Sequence, residues 1–110
     1  MNLIQLEPRF LRHAVRHDHE WCEEVELAVA QGVTFLCPKC FELNGGPVGT
    51  HSVLVWFRDR GVADNVTPGP GRWELKGMTL ADITLAPSIS LSTGCKWHGF
   101  VTNGAVSSCG

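Results

Sequence analysis

Cys37 and Cys40 enclose Pro38 and Lys39, and Cys95 and His98 enclose Lys96 and Trp97. Two intervening residues is the spacing at which one tight turn can aim two side chains at a single ion. Zinc takes four nitrogen or sulfur ligands in a tetrahedron, with Zn–S near ~2.3 Å and Zn–N near ~2.0 Å. Cys37, Cys40, Cys95 and His98 complete such a set, so the sequence predicts one zinc per chain. Pro38 presets φ in the first turn, and Gly94 and Gly99 relieve steric limits around the second. The 54 residues between Cys40 and Cys95 mean that a shared ion closes a long loop. His51 follows a Gly-rich stretch at 44–50 and is an alternative fourth ligand, or a hydrogen-bond partner of a ligand thiolate. Its plain reading is a histidine at the start of a strand. Cys22 reads as helix packing and Cys109 as an incidental terminal thiol.

The same side chains admit other chemistry. Cys95 and His98 could form a thiolate–imidazolium pair, although the matching Cys37–Cys40 pair makes ligation the better use of them. A zinc hydrolase or deaminase would keep three protein ligands and a water, with Cys37, Cys40 and Cys95 as ligands and His51 or His98 as base. The deaminase pattern H-x-E followed by P-C-x-x-C is absent, since here Cys37 precedes Pro38, and H-E-x-x-H does not occur. Lys39, Lys96, Arg58, Arg60 and Arg72 beside Trp97 and Phe41 would suit a zinc-ribbon nucleic-acid binder if they converged.

The elements that must position these residues are short. Leu3–Leu6 reads as a first strand. Asp18 offers an N-cap for a helix from about His19 to Gln31, with Trp21, Val25, Ala28 and Val29 on one face, glutamates in the first turns and Gly32 as the stop. Val33–Leu36 delivers Cys37, and Val53–Phe57, apolar on both faces, reads as a central strand. Residues 58–71 form a Gly/Pro-rich surface loop ending in Arg72 and Trp73, residue types enriched at interface hot spots. Ile83 and Leu85, then Ile89 and Leu91, alternate with polar residues as two strands separated by Pro87. Asn103-Gly104 predicts a type I′ hairpin turn.

The expected fold class is α+β, mainly β: a single zinc-ribbon-like domain over 1–110, with an N-terminal strand and helix region (1–31) and a metal-containing β region (32–107). A net charge of −2 argues against coating nucleic acid through bulk charge. No apolar run approaches the ~18 residues of a membrane span. Met1–Phe10 lacks a basic segment followed by an apolar one, and the cysteine count is odd, so the expectation is a reduced, cytoplasmic protein.

One set of strings is distinctive: Gly32-Val33-Thr34-Phe35-Leu36-Cys37-Pro38-Lys39-Cys40-Phe41, Gly49-Thr50-His51-Ser52, Pro68-Gly69-Pro70-Gly71-Arg72-Trp73, Ala86-Pro87-Ser88-Ile89, and Gly94-Cys95-Lys96-Trp97-His98-Gly99-Phe100 with Asn103-Gly104. Together they resemble a family of small phage and prophage proteins of unknown function, similar to domains encoded beside bacterial ubiquitin-like conjugation genes. The resemblance implies metal-ligand cysteines and a phage context, and it implies no activity. With all four ligands supplied by protein, the expectation is a structural-zinc module that binds a protein partner through the loop at Arg72 and Trp73. Nucleic acid is the less favoured partner.

Overall fold

The computed structural model describes residues 1–14, 21–92 and 94–109. Its strands are β1 (Arg9–His13), β2 (Trp21–Glu24), β3 (Gly32–Leu36), β4 (Ser52–Trp56), β5 (Glu74–Lys76), β6 (Thr84–Ser90), β7 (His98–Thr102) and β8 (Ala105–Ser108), with helix α1 (Pro38–Asn44) between β3 and β4. They form two antiparallel sheets, ordered β2-β1-β3-β4 and β5-β6-β7-β8. Val33, Phe35, Val53 and Val55 of the first and Leu85, Ile89, Val101 and Val106 of the second belong to one core. The mainly β class expected from the sequence holds, with two sheets rather than one.

The helix lies elsewhere than predicted. Trp21–Glu24 is a strand paired with β1, Arg12 opposite Cys22 and Leu11 opposite Glu23. The glutamates assigned to a helix dipole instead reach across the ladder, Glu23 to Arg9 at 3.7 Å and Glu24 to Arg12 at 3.2 Å. Trp21, Val25 and Val29, the supposed buried face, are exposed. Cross-strand pairing therefore overrides local helical periodicity here. The proposed cap Asp18 lies outside the described residues. Leu3–Leu6, expected as a strand, is a 3-10 turn. Its repeat of three puts Leu3 and Leu6 on one side, and both are fully buried.

The actual helix begins at the first cysteine pair. Pro38 occupies its first turn, where a missing N–H costs nothing. Gly45, at φ 68°, ends it, with Gly45 N–H donating to Glu42 O and Gly46 N–H to Phe41 O.

β4 is apolar on both faces, as read, yet it is an edge strand and not a central one. Its outer face is covered by the 58–71 loop: Val66 is buried against Leu11 and Trp56, with Leu54 and Val62 packed beside them. The Trp56 indole N–H donates to Thr67 O at 3.0 Å. In the second sheet, β6 runs through Pro87 as one strand with a register break between Leu85 and Ile89. A proline is tolerated at such an irregularity because no ladder bond is lost there. The β7–β8 turn is as predicted, Asn103 and Gly104 both having positive φ.

Asp82 secures the turn before β6 by accepting the N–H groups of Met78 and Thr79, both at 2.8 Å. The N–H bonds from Thr79 and Met78 hold its carboxyl below the ordinary carboxylate value. A lowered folded pKa contributes stability above the unfolded pKa, and that stability disappears as pH falls through the folded one. Asp82→Asn is therefore expected to melt below the parent at neutral pH. Thermal melts at decreasing pH should show the gap narrowing below about pH 4.

Candidate functional site

Cys37 caps α1, Cys40 lies in its first turns, His51 precedes β4, and Cys95 sits in the β6–β7 connection. Cys37 N–H donates to His51 O at 2.8 Å, so the continued β3–β4 ladder places these two residues opposite each other. The potential ligand atoms of Cys37, Cys40, His51 and Cys95 all lie within 4.8 Å of one another. Cys37 Sγ is 3.4 Å from Cys95 Sγ, and His51 Nε2 is 3.3 Å from the same sulfur. A zinc tetrahedron with ~2.3 Å bonds separates its sulfurs by roughly 3.8 Å, so the donor set and its spacing fit that ion. Lys39 Nζ donates to Cys95 O at 3.0 Å and ties α1 to the second sheet at this point.

The electrostatics of the group are lopsided. Burial pushes the Cys37 thiol up to about 11, and burial also raises Cys40. Cys95 is subject to the same desolvation, yet hydrogen bonds from His51, the Trp97 backbone and the two other cysteines bring it down to about 6. One thiolate is thus the resting charge that the protein groups alone sustain. Ionising all three sulfurs together calls for a cation among them.

His98, expected as the fourth ligand, is outside this group. Trp97 is buried, its indole N–H donating to Ser108 Oγ at 2.9 Å and its ring edge-on to Phe35. That anchor separates Cys95, on the side of α1, from His98, which begins β7. His98 Nε2 lies 3.0 Å from Ser88 Oγ. Antiparallel register accounts for the contact: Ser90 is opposite His98, and Ser88 is two residues along, on the same face. The Trp73 indole N–H donates to Ser88 O at 3.2 Å and holds the serine backbone. A hydroxyl within hydrogen-bond reach of an imidazole is the arrangement of a nucleophile and its general base. Among the described residues no carboxylate bonds His98, so the pair is a dyad.

Sequence reasoning passed over Ser88, because a serine and a histidine separated by nine residues carry no periodicity or motif. Its only signal was that Ala86-Pro87-Ser88-Ile89 and the His98 segment both belong to the distinctive strings above.

The loop at Arg72 and Trp73 also differs in role. Arg72 donates to the carbonyls of Ala63, Val66, Pro68 and Gly71 and so organises the loop internally. Arg60 is likewise spent on the carbonyls of Leu27, Ala28 and Ala30. With Lys39 on Cys95 O and Arg58 on Arg72 O, four of the five cations considered for nucleic acid bind the protein's own backbone. Trp73 is half-buried and lines a groove of about 440 Å³ that runs between β4 and β6.

A family model described as "Bacterial ubiquitination-like system serine protease (BubE)" matches residues 11–109. No curated protein and no solved structure matches the chain. The description agrees with the ubiquitin-like conjugation setting implied by the sequence resemblance, and it says nothing of phage. Among the described residues, no helix is long and apolar enough to cross a membrane.

Proposed function

The chain belongs to the BubE family, and from that premise we propose that it is a serine hydrolase. Its substrate is an acyl bond of a ubiquitin-like protein or its conjugate, with Ser88 as nucleophile and His98 as general base. The observation that carries this reading is the 3.0 Å contact between Ser88 Oγ and His98 Nε2.

Ser88 Oγ–H gives its proton to His98 Nε2 as Oγ bonds to the substrate carbonyl carbon. The resulting imidazolium returns that proton to the leaving group as the scissile bond breaks, which leaves an acyl-serine. A water then loses a proton to His98 and attacks the acyl carbon, and His98 reprotonates Ser88 as the acid departs.

In the same reading, Cys37, Cys40, His51 and Cys95 hold a zinc ion in a structural role. Four protein ligands fill the tetrahedron and leave no position for water. The ion would fix the segment from Cys95 to His98, and with it the base. Five free cysteines support a reducing, cytoplasmic compartment. The partner is a protein, the ubiquitin-like substrate itself.

Two measurements test the two parts. Incubation with an alkyl fluorophosphonate followed by peptide mapping is expected to find the label on Ser88, and none in His98→Ala; an unlabelled Ser88 sinks the assignment. Elemental analysis is expected to find about one zinc per chain, as a single four-ligand site requires. His51→Ala should lose most of that zinc while His98→Ala retains it. The reverse order would move the fourth ligand to His98.

A further inference from the structure

The groove between β4 and β6 has unpaired backbone on both walls. In the β3–β4 ladder, Cys37 N–H donates to His51 O and Phe57 N–H to Gln31 O. Antiparallel bonds alternate, so the N–H and C=O groups of Val53 and Val55 face β3, and those of Ser52 and Leu54 face away. Trp56 O, in the same outward phase, accepts Trp73 N–H at 3.0 Å. Ser52 and Leu54 have no second strand beside them among the described residues.

β6 mirrors this arrangement. Leu91 N–H donates to Trp97 O at 2.9 Å, so Ile89 and Leu91 face β7, and Ser88 and Ser90 face the other way. β5 pairs only as far as Ala86, and among the described residues the Ser88–Ser90 edge is open except where Trp73 covers Ser88 O. The lining includes Ser52 and Leu54 from one wall and Ser90 from the other, and Trp73, whose indole N–H bonds Ser88 O, joins it to Ser88 and His98, which border the groove without lining it. Among the described residues no Asp, Glu, Lys or Arg contributes to it, and its titratable side chains are His51 and Cys95 of the metal-ligand group. Gly69 and Gly71 border it with backbone instead of side chains, and a Cβ on Gly71 would press on the Trp73 ring at 2.8 Å.

We infer that this groove takes the substrate segment next to the scissile bond as an added strand, an extended uncharged run of small residues hydrogen-bonded to the edges of β4 and β6. The inference rests on Ser88 being the nucleophile and adds how the substrate reaches it. Main-chain bonds to an exposed edge supply affinity in this mode, and the groove walls select side chains. A cavity of about 440 Å³ accommodates only a short stretch, and bulky or charged residues have no counterpart in it.

The test compares two probes of Ser88: a plain alkyl fluorophosphonate and an acetylated tetrapeptide of glycine and alanine ending in a phosphonate. The peptide is expected to raise the labelling rate, relative to a reference phosphonate without the peptide, by about tenfold or more. N-methylation at alternate amides should remove about tenfold of that gain, and methylation at the intervening amides little. A peptide that gains nothing, or equal losses at every amide, overturns the added strand and leaves the catalytic assignment standing. Failure of the alkyl probe to label Ser88 in the unsubstituted protein removes the catalytic assignment, and the groove's role with it.

Discussion

Ser88→Ala is expected to lower kcat/KM on a ubiquitin-like substrate by about a thousandfold or more, with thermal stability nearly unchanged. The hydroxyl is the attacking group, so no neighbouring residue replaces it, while the loss of one oxygen on a half-buried strand position disturbs little packing. His98→Ala should fall by a similar factor, and the double variant no further than either single one. Nucleophile and base act as a unit, and removing one makes the other idle. Steady-state kinetics of the three variants decide the matter. Multiplied losses in the double variant would mean that the two residues act independently, and the dyad would be wrong.

Cys37→Ser is expected to release the metal and to lower the melting temperature by about 10 °C or more. Cys37 is fully buried at the cap of α1 and is held against Cys95 of the opposite sheet. The ion would therefore join the β3–α1–β4 region to the β6–β7 connection, two parts far apart in sequence. A loss of about 2–3 kcal/mol suffices for a shift of that size in a domain of this length. Calorimetry with and without chelator checks it: a chelator should shift the parent toward the variant and leave the variant unmoved. Activity should fall with the metal, because Cys95 lies three residues before His98 and Trp97 links their positions. A parent protein indifferent to chelators would exclude a stabilising ion.

Between these two centres the sequence is unevenly informative, and each misleading signal has a local cause. The periodicity at Trp21, Val25, Ala28 and Val29 fitted a helix equally well as a sequence pattern. Only pairing with β1 shows that Glu23 and Glu24 reach diagonally across a ladder to Arg9 and Arg12. β4 has the apolar pattern of a central strand on both faces, although it is an edge strand whose second face is buried by a loop from the same chain. Arg72 had the chemistry of a contact residue and proved to be spent on four carbonyls of its own loop.

What the linear chain determined on its own is whatever depends on a few neighbouring residues. The Cys37–Cys40 spacing, the β3 and β4 segments and the Asn103-Gly104 turn are of this kind, since ligand spacing, strand alternation and positive φ are all short-range constraints. Tertiary structure alone decided which imidazole went where. Cys95 and His98 are separated by two residues, yet a buried Trp97 places one with α1 and the other against β6. His51 then stands beside the sulfurs by strand register, and Ser88 meets His98 across a sheet. Register between strands is a property of the folded sheet, fixed by the packing of both its faces, and no spacing within one segment encodes it.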